Sequence, residues 1–481
     1  MDAPNSLSRF ERRASTSDIQ TAPQPAAPRH LPMPRQTSNP LLTAPVLGTL
    51  VRLSLPNMVA MLATALVTIA ETAYVGLLGI PPLAGMALVF PMVMLQQMMS
   101  AGAMGGGVSS AISRAIGAAD EIRAGALAAH ATVIAILAGS LFTGLFLAFG
   151  SQIYQTLGGR GQALAAALSY SNIVFLGASS IWLTNTFASV IRGSGNMKVP
   201  SATILSAAGL QVVLGGGLGL GLGPLPKLGM VGIGMGQVIA FSLSALFLFW
   251  YMQSGRARLR ISFAGGLNRS MFHDILRVGG VACISPLQSV LTVLILTRLV
   301  SSFGTEALAG YGIGTRLEFL LIPITFAIGV ACVPMVGMAI GAGEVARARR
   351  VAWTGGALSA VFAGAVGLVL ALMPDLWTTL FTNDPAVLAS ARCYFVWVGP
   401  TYAFFGLGLC LYFASQGAGR VVGPVIAGTI RLAVVALGGW WLATSQAPAS
   451  AMFALIGLAM VAFGTATAVS VYAVRWGPKG R

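Results

Sequence analysis

The chain has 481 residues, of which 56% are apolar and 8% charged, at a mean hydropathy of +0.83. Soluble domains carry roughly 25% charged residues, so this composition excludes a soluble globular protein and places the chain in a lipid bilayer. The formal net charge of +16 invites a nucleic-acid reading, but the basic residues are dealt out to alternate loops, and no nucleic-acid partner is expected.

Residues 1–46 are rich in Pro, Ser and Arg (TAPQPAAPRH, LPMPRQ) and lack an apolar core of the signal-peptide kind. They read as a disordered cytoplasmic tail. A helix needs about 20 apolar residues to cross the hydrocarbon. Runs of that kind lie at 50–78, 84–112, 124–149, 162–190, 200–222, 228–252, 272–301, 308–338, 351–381, 386–414, 421–443 and 448–474. Their loops alternate in charge. Arg114, Arg123, Arg192, Lys198, Arg256, Arg258, Arg260, Arg269, Arg347, Arg349, Arg350 and Arg420 fall on one side, and Arg160 and Lys227 on the other. By the positive-inside rule the basic side and both termini face the cytoplasm of a plasma (inner) membrane. The expected organisation is a first lobe at 47–255, a linker at 256–270, a second lobe at 271–475 and a short tail at 476–481.

The chain repeats itself. Gly79 and Leu83-Ala84-Gly85 match Gly304 and Leu308-Ala309-Gly310, and Ile116-Gly117-Ala118 matches Ile340-Gly341-Ala342 at a spacing that differs by only one position. IRGSGNMKVP and SQGAGRVVGP align Gly193, Gly195 and Pro200 with Gly417, Gly419 and Pro424, at the same spacing as the second match. Six helices return the chain to its starting side, so these are parallel repeats. The fold expected is an all-α integral membrane protein of about twelve transmembrane helices in two six-helix bundles, a geometry suited to alternating access.

PLAGMALVFP, SAGAMGGGVSSAISRAIGA, VIRGSGNMKVP and GPLPKLGMVGIGMG, with their second-half counterparts, resemble the multidrug and toxic compound extrusion (MATE) family over about residues 45–475. The resemblance implies a monomeric antiporter that uses a proton or sodium gradient to expel small organic, often cationic, compounds, with no cofactor and no enzymatic activity.

One acid stands out in VTIAETAYVGLLG. Glu71 lies about eight residues from the outer end of the first helix, roughly 12 Å down at 1.5 Å per residue, where an acid costs about 2.5–3.5 kcal/mol. Asn57, Thr64, Thr68 and Glu71 are spaced seven, four and three apart, and Tyr74 follows at three, so they line one polar stripe. Low dielectric disfavours the ionised carboxylate, which makes Glu71 a candidate ion-coupling group. Gln96, Gln97, Asn172, Asn185 and Gln211 are candidate cavity residues, with interhelical glue as the alternative. Relatives in the resembled family carry an Asp at the equivalent of Glu71, and proton-linked ones often pair Asn and Asp four apart in helix five, where this chain has Gln211 and Gly215. That departure leaves Glu71 without a paired carboxylate in the membrane spans of its lobe.

The second half does not copy this chemistry, since the position equivalent to Glu71 is Leu296. Its charges are Glu318 with Arg431, Arg316 and Arg298. They read either as a Glu318–Arg structural pair or as a binding point for an anionic or zwitterionic substrate, and Arg298 is expected to snorkel. The sodium-linked branch of the family carries acids in helices seven and ten that this chain lacks, which tilts the expectation toward protons. A flippase of lipid-linked or anionic precursors using the basic second lobe ranks second. Cys283, Cys332, Cys393 and Cys410 show no metal-ligand spacing and are expected to pack.

Overall fold

The structure is a computed structural model and describes residues 40–445 and 447–477. Most of the expected N-terminal tail and residues 478–481 lie outside the described residues. The chain is already structured before residue 46, however. Pro40–Thr43 is a turn of helix with Leu41 buried, held because Arg347 donates to the carbonyls of Leu41 (3.0 Å) and Ala44 (2.6 Å).

The helices run in chain order as α1 Val46–Leu78, α2 Ile80–Gly117, α3 Glu121–Thr156, α4 Gly161–Leu176 with Ala178–Gly193, α5 Lys198–Leu220 and α6 Gly229–Gln253. The second half follows with α7 Arg269–Ser301, α8 Thr305–Gly341, α9 Val345–Leu372, α10 Pro385–Gly417, α11 Val422–Thr444 and α12 Ala449–Ala473. All but α4 are individually long and apolar enough to cross a bilayer, and α4 crosses as a pair bent by 48° at Gly177. Among the described residues there are no strands. The ninth span, expected to reach residue 381, stops at Leu372 because Pro374 interrupts it, and Asp375–Thr378 forms a separate turn.

Irregularities repeat as the sequence does. The bend of α4 at Gly177 has its counterpart in the 3-10 turn Gly399–Thr401 of α10, at the equivalent place in the second repeat. The π-helical segment Met98–Met104 of α2 corresponds to the region of Pro323 inside α8. Packing repeats too. A Cβ on Gly85 would strike the backbone of Ala163 and Ala167, and one on Gly310 would strike Ser390 and Ala391. The shared Leu-Ala-Gly motif thus brings α2 onto α4 and α8 onto α10 at backbone distance, as small residues do in membranes.

The two halves meet along the end that carries the basic loops. A Cβ on Gly117 would collide with the Met338 carbonyl oxygen, and one on Gly341 would collide with that of Arg114. Ser110 Oγ donates to the Gln416 carbonyl and, at 3.2 Å, to that of Gly417. Arg114 donates to Ser110 Oγ and pairs with Asp274 at 2.7 Å, while Arg123 reaches the other oxygen of Asp274 at 3.0 Å. Toward the opposite end each half packs on itself, α2 on Gly161–Leu176 and α8 on Pro385–Val398. The molecule is therefore shut at the basic end.

Since the glycine at 341 sits against a carbonyl of the other half, Gly341→Ala is expected to cost about 1–3 kcal/mol by overpacking. Gly312→Ala, where no atom lies within 4 Å, should be neutral. Thermal unfolding of both variants, with labelling of a cysteine introduced at Ser113, checks this: G341A should unfold earlier and label faster.

Candidate functional site

Glu71 is buried, 7% exposed, in the face of α1 turned to α5. Its Oε1 accepts a hydrogen bond from Gln211 Nε2 at 2.7 Å. The Tyr74 hydroxyl faces the same carboxylate but makes no formed hydrogen bond. Gly215 explains how it fits, since a Cβ there would lie 2.9 Å from that hydroxyl. At the position where an acid is lacking in helix five, a phenol from α1 occupies the space. Tyr170 completes the surroundings. It is buried, lies within electrostatic reach of Glu71, and donates to Gln237 Oε1 at 2.9 Å. Every partner of Glu71 is neutral: none of the salt bridges among the described residues involves it.

The rest of the expected stripe is not part of this site. The Thr64 hydroxyl donates to its own helix at Met61 (2.7 Å), and Thr68 donates to Thr64 (3.4 Å). Asn57 is fully buried with both amide atoms unpartnered. Gln96 and Gln97 tie α2 to α4: Gln96 donates to the Ala178 carbonyl at 3.4 Å, and Asn185 donates to both Gln97 Oε1 and Ser100 Oγ at 2.8 Å. These three are the glue reading of such residues. Asn172 lies on the exposed face of α4, apart from the network.

In the second half the expected Glu318–Arg pair is not formed. Glu318 Oε1 instead accepts from the Tyr394 hydroxyl at 2.6 Å, and Tyr402 lies 3.4 Å from that hydroxyl. Arg431 is within electrostatic reach of Glu318 but stacks over Phe405 (5.4 Å) and Phe463 (6.0 Å), with its Nε unpartnered. Arg316 and Arg298 do not belong to the cluster. Both are exposed, with Arg316 over Phe381 at 4.9 Å and Arg298 in the last turn of α7.

Sequence reading missed Tyr170, Gln237, Tyr394, Tyr402 and Asp274. A signal existed for two of them: Tyr170 and Tyr394 are equivalent positions of the two repeats, and each stands beside its half's buried acid. Asp274 was visible as a lone acid among basic residues in RSMFHDILR. His130 spends both ring nitrogens on backbone, at Ala126 O (2.7 Å) and the Asn268 N–H (2.7 Å), and so anchors the linker to α3. Cys332 and Cys410 pack thiol to thiol at 3.7 Å.

The family model described as MatE matches residues 56–215 and, again, residues 282–442. The chain belongs to the MATE family. As a MATE protein it is a multi-pass membrane transporter, and the double match falls on the two repeats. It is similar to an FAD transporter of Shewanella oneidensis, 24% identical over 401 residues, covering 82% of this chain and 88% of that one. It is likewise similar to the probable multidrug resistance protein NorM of Thermotoga maritima, 26% identical over 383 residues and covering 78% and 81%. Among solved structures, an outward-facing multidrug resistance MATE transporter of the MOP superfamily superposes with a TM-score of 0.80 at 23% identity, covering 90% of this chain and 96% of that one. A MOP superfamily transporter from Pyrococcus furiosus, described as having a binding pocket of reverse polarity, gives 0.81 at 22% with the same coverage.

The Tyr74–Gly215 contact yields a double-mutant test. Gly215→Ala should destabilise this MATE protein by about 1–2 kcal/mol, because the new methyl meets the hydroxyl. In a Tyr74→Phe background most of that cost should vanish, which unfolding of the two single variants and the double variant reads as a coupling energy.

Proposed function

We propose that the protein is a proton-coupled antiporter that exports small organic compounds by alternating access, with Glu71 as the group that takes up and releases the proton. The observation that carries this reading is a buried carboxylate whose only partners are neutral: Gln211, Tyr74 and, farther off, Tyr170. A carboxylate tied to an arginine would stay ionised and do no work. One bonded by an amide, with phenols nearby, changes protonation at moderate cost, and in a membrane an isolated acid of this kind is a functional hypothesis by default. Sodium is the weaker choice, since a metal cation wants several oxygen ligands with anionic charge, and among the described residues Glu71 supplies the only carboxylate at this site.

The basic end is the cytoplasmic one in this reading, by the asymmetry of the loops. In this reading, with that end shut, Glu71 exchanges its proton with the outer side. Protonation removes the cost of burying the charge and lets the halves tilt. Release on the cytoplasmic side restores the charge and completes the cycle.

A second reading of the substrate is favoured by Arg431. Its guanidinium lies against two neighbouring rings and has an unpartnered Nε, and a guanidinium with a free donor is suited to a carboxylate or phosphate. The similarity to a relative described as an FAD transporter supports a substrate with an anionic group, in place of the cationic compounds that the family resemblance implies.

In proteoliposomes, a pH jump with matched sodium should drive counterflow of substrate, and a sodium jump at matched pH should not. Glu71→Gln should abolish the pH-driven flux while leaving the protein folded; full retained flux in that variant would remove Glu71 from the mechanism. Arg431→Gln should depress flux of anionic dyes by roughly tenfold or more, the worth of one charged hydrogen bond, with little effect on cationic dyes.

A further inference from the structure

A small chamber of about 10 Å³ lies in the shut seam, far from Glu71 in the chain and lined from both halves: Ser109, Ser189 and Arg192 from the first, Val330, Val333 and Phe413 from the second. These linings include equivalent positions of the two repeats (Ser109 with Val333, Ser189 with Phe413), so the chamber sits on the axis that relates the halves. Arg192 itself is equivalent to Gln416, whose side-chain oxygen is packed onto Gly106.

The electrostatics of this chamber are unbalanced. Arg192 is 3% exposed and reaches only Ser189 Oγ, at 3.0 Å. Among the described residues it has no carboxylate partner, whereas Arg114 and Arg123 at the same seam share Asp274. A guanidinium cannot shed its proton, and an unpaired buried charge costs several kcal/mol. Around it stand further unsatisfied polar atoms: Ser109 Oγ and both amide atoms of Gln416 are buried without a partner. Ser189 Oγ accepts from Arg192 and donates its own proton to the Asn185 carbonyl at 2.7 Å, so the free donors are the guanidinium and the Ser109 hydroxyl, and the rest of the wall is apolar or glycine.

From this geometry we infer that the chamber is a binding site for one small monovalent anion of halide type, held by Arg192 and Ser109 when the basic end is shut, with Ser189 orienting the guanidinium. Its volume admits an occupant of about the size of a water molecule. Phosphate, sulfate or the carboxylate of a bulky substrate does not fit. Water fits but leaves the positive charge uncompensated. The glycine run of SAGAMGGGVSS makes the room, since a Cβ on Gly105 would fall 2.5 Å from Ser189 Oγ and one on Gly102 3.3 Å from Phe326. The anion binds the shut seam and is released when the halves part, so it biases the conformational equilibrium by mass action. Such a site works in the same way whichever ion Glu71 carries.

Thermal unfolding of the purified full-length protein, titrated with sodium chloride against sodium gluconate at constant ionic strength, tests it. Chloride and bromide should raise the midpoint saturably and sulfate should not. Arg192→Gln should abolish the chloride effect, with a midpoint in gluconate no lower than that of the parent. Ser109→Ala retains the charge and removes one donor; it should shift the chloride titration to about tenfold higher concentration, and decides the matter if Arg192→Gln does not fold. A parent midpoint indifferent to chloride would mean that water alone fills the chamber. A chloride effect undiminished in the variants would place the anion elsewhere. Either result overturns the inference.

Discussion

Charge in a medium that does not solvate it is the constraint on which this molecule turns. Lipid and a glycine-packed protein interior both refuse an ion without a partner, and the few buried charges here are answered in different ways. Arg114 shares a carboxylate at the seam with the exposed Arg123. Glu71 and Glu318 receive hydrogen bonds from an amide and a phenol. Arg431 spreads its charge over two rings, and Arg192 has only a serine. Groups matched by opposite charge hold the structure in one state. Groups matched by neutral partners retain a reason to change state.

Duplication supplied the scaffold and divergence supplied the chemistry. The Leu-Ala-Gly packing, the bends at Gly177 and Gly399–Thr401, and the glycines that close the seam occur in both halves. So do Tyr170 and Tyr394 on equivalent turns. The acids they attend do not correspond: Glu71 is on α1 and its equivalent is Leu296, while Glu318 is on α8. One half presents a carboxylate bonded by an amide with phenols nearby, and the other a carboxylate bonded by a phenol, with an unpaired guanidinium farther off. The phenols thus occupy equivalent places in the two halves, whereas the acids stand on helices that do not correspond.

Much of the fold was legible because each of its signals is local and additive. Apolar runs, loop charge and the evenly spaced echo of Gly-rich motifs pointed to twelve helices and their pairing. Span ends were less legible, as at Leu372, because a proline cuts an apolar run without changing its hydropathy. At the site, Glu71 and Gln211 were found since isolated polar residues are rare in such helices. Their grouping was not. The threonines of the stripe satisfy themselves on their own helix, something that helical spacing does not reveal. The role of Tyr74 depends on a missing side chain at Gly215, a relation between two helices. Arg192 read as a loop residue, because its position one residue from the end of α4 hides that the opposite half covers it.

The seam ties these observations to motion. Opening the basic end means parting Ser110 from the carbonyls of Gln416 and Gly417, and Arg114 and Arg123 from Asp274. Those losses are offset by water reaching the freed groups, so the ion pairs themselves contribute little net preference. What remains is the close packing of glycine surfaces, which favours the shut state, and the hydration of Arg192, which favours the open one. The two opposing contributions act at the same place. A seam with opposing contributions responds to small biases, and in the function proposed above the protonation of Glu71 on α1 supplies one.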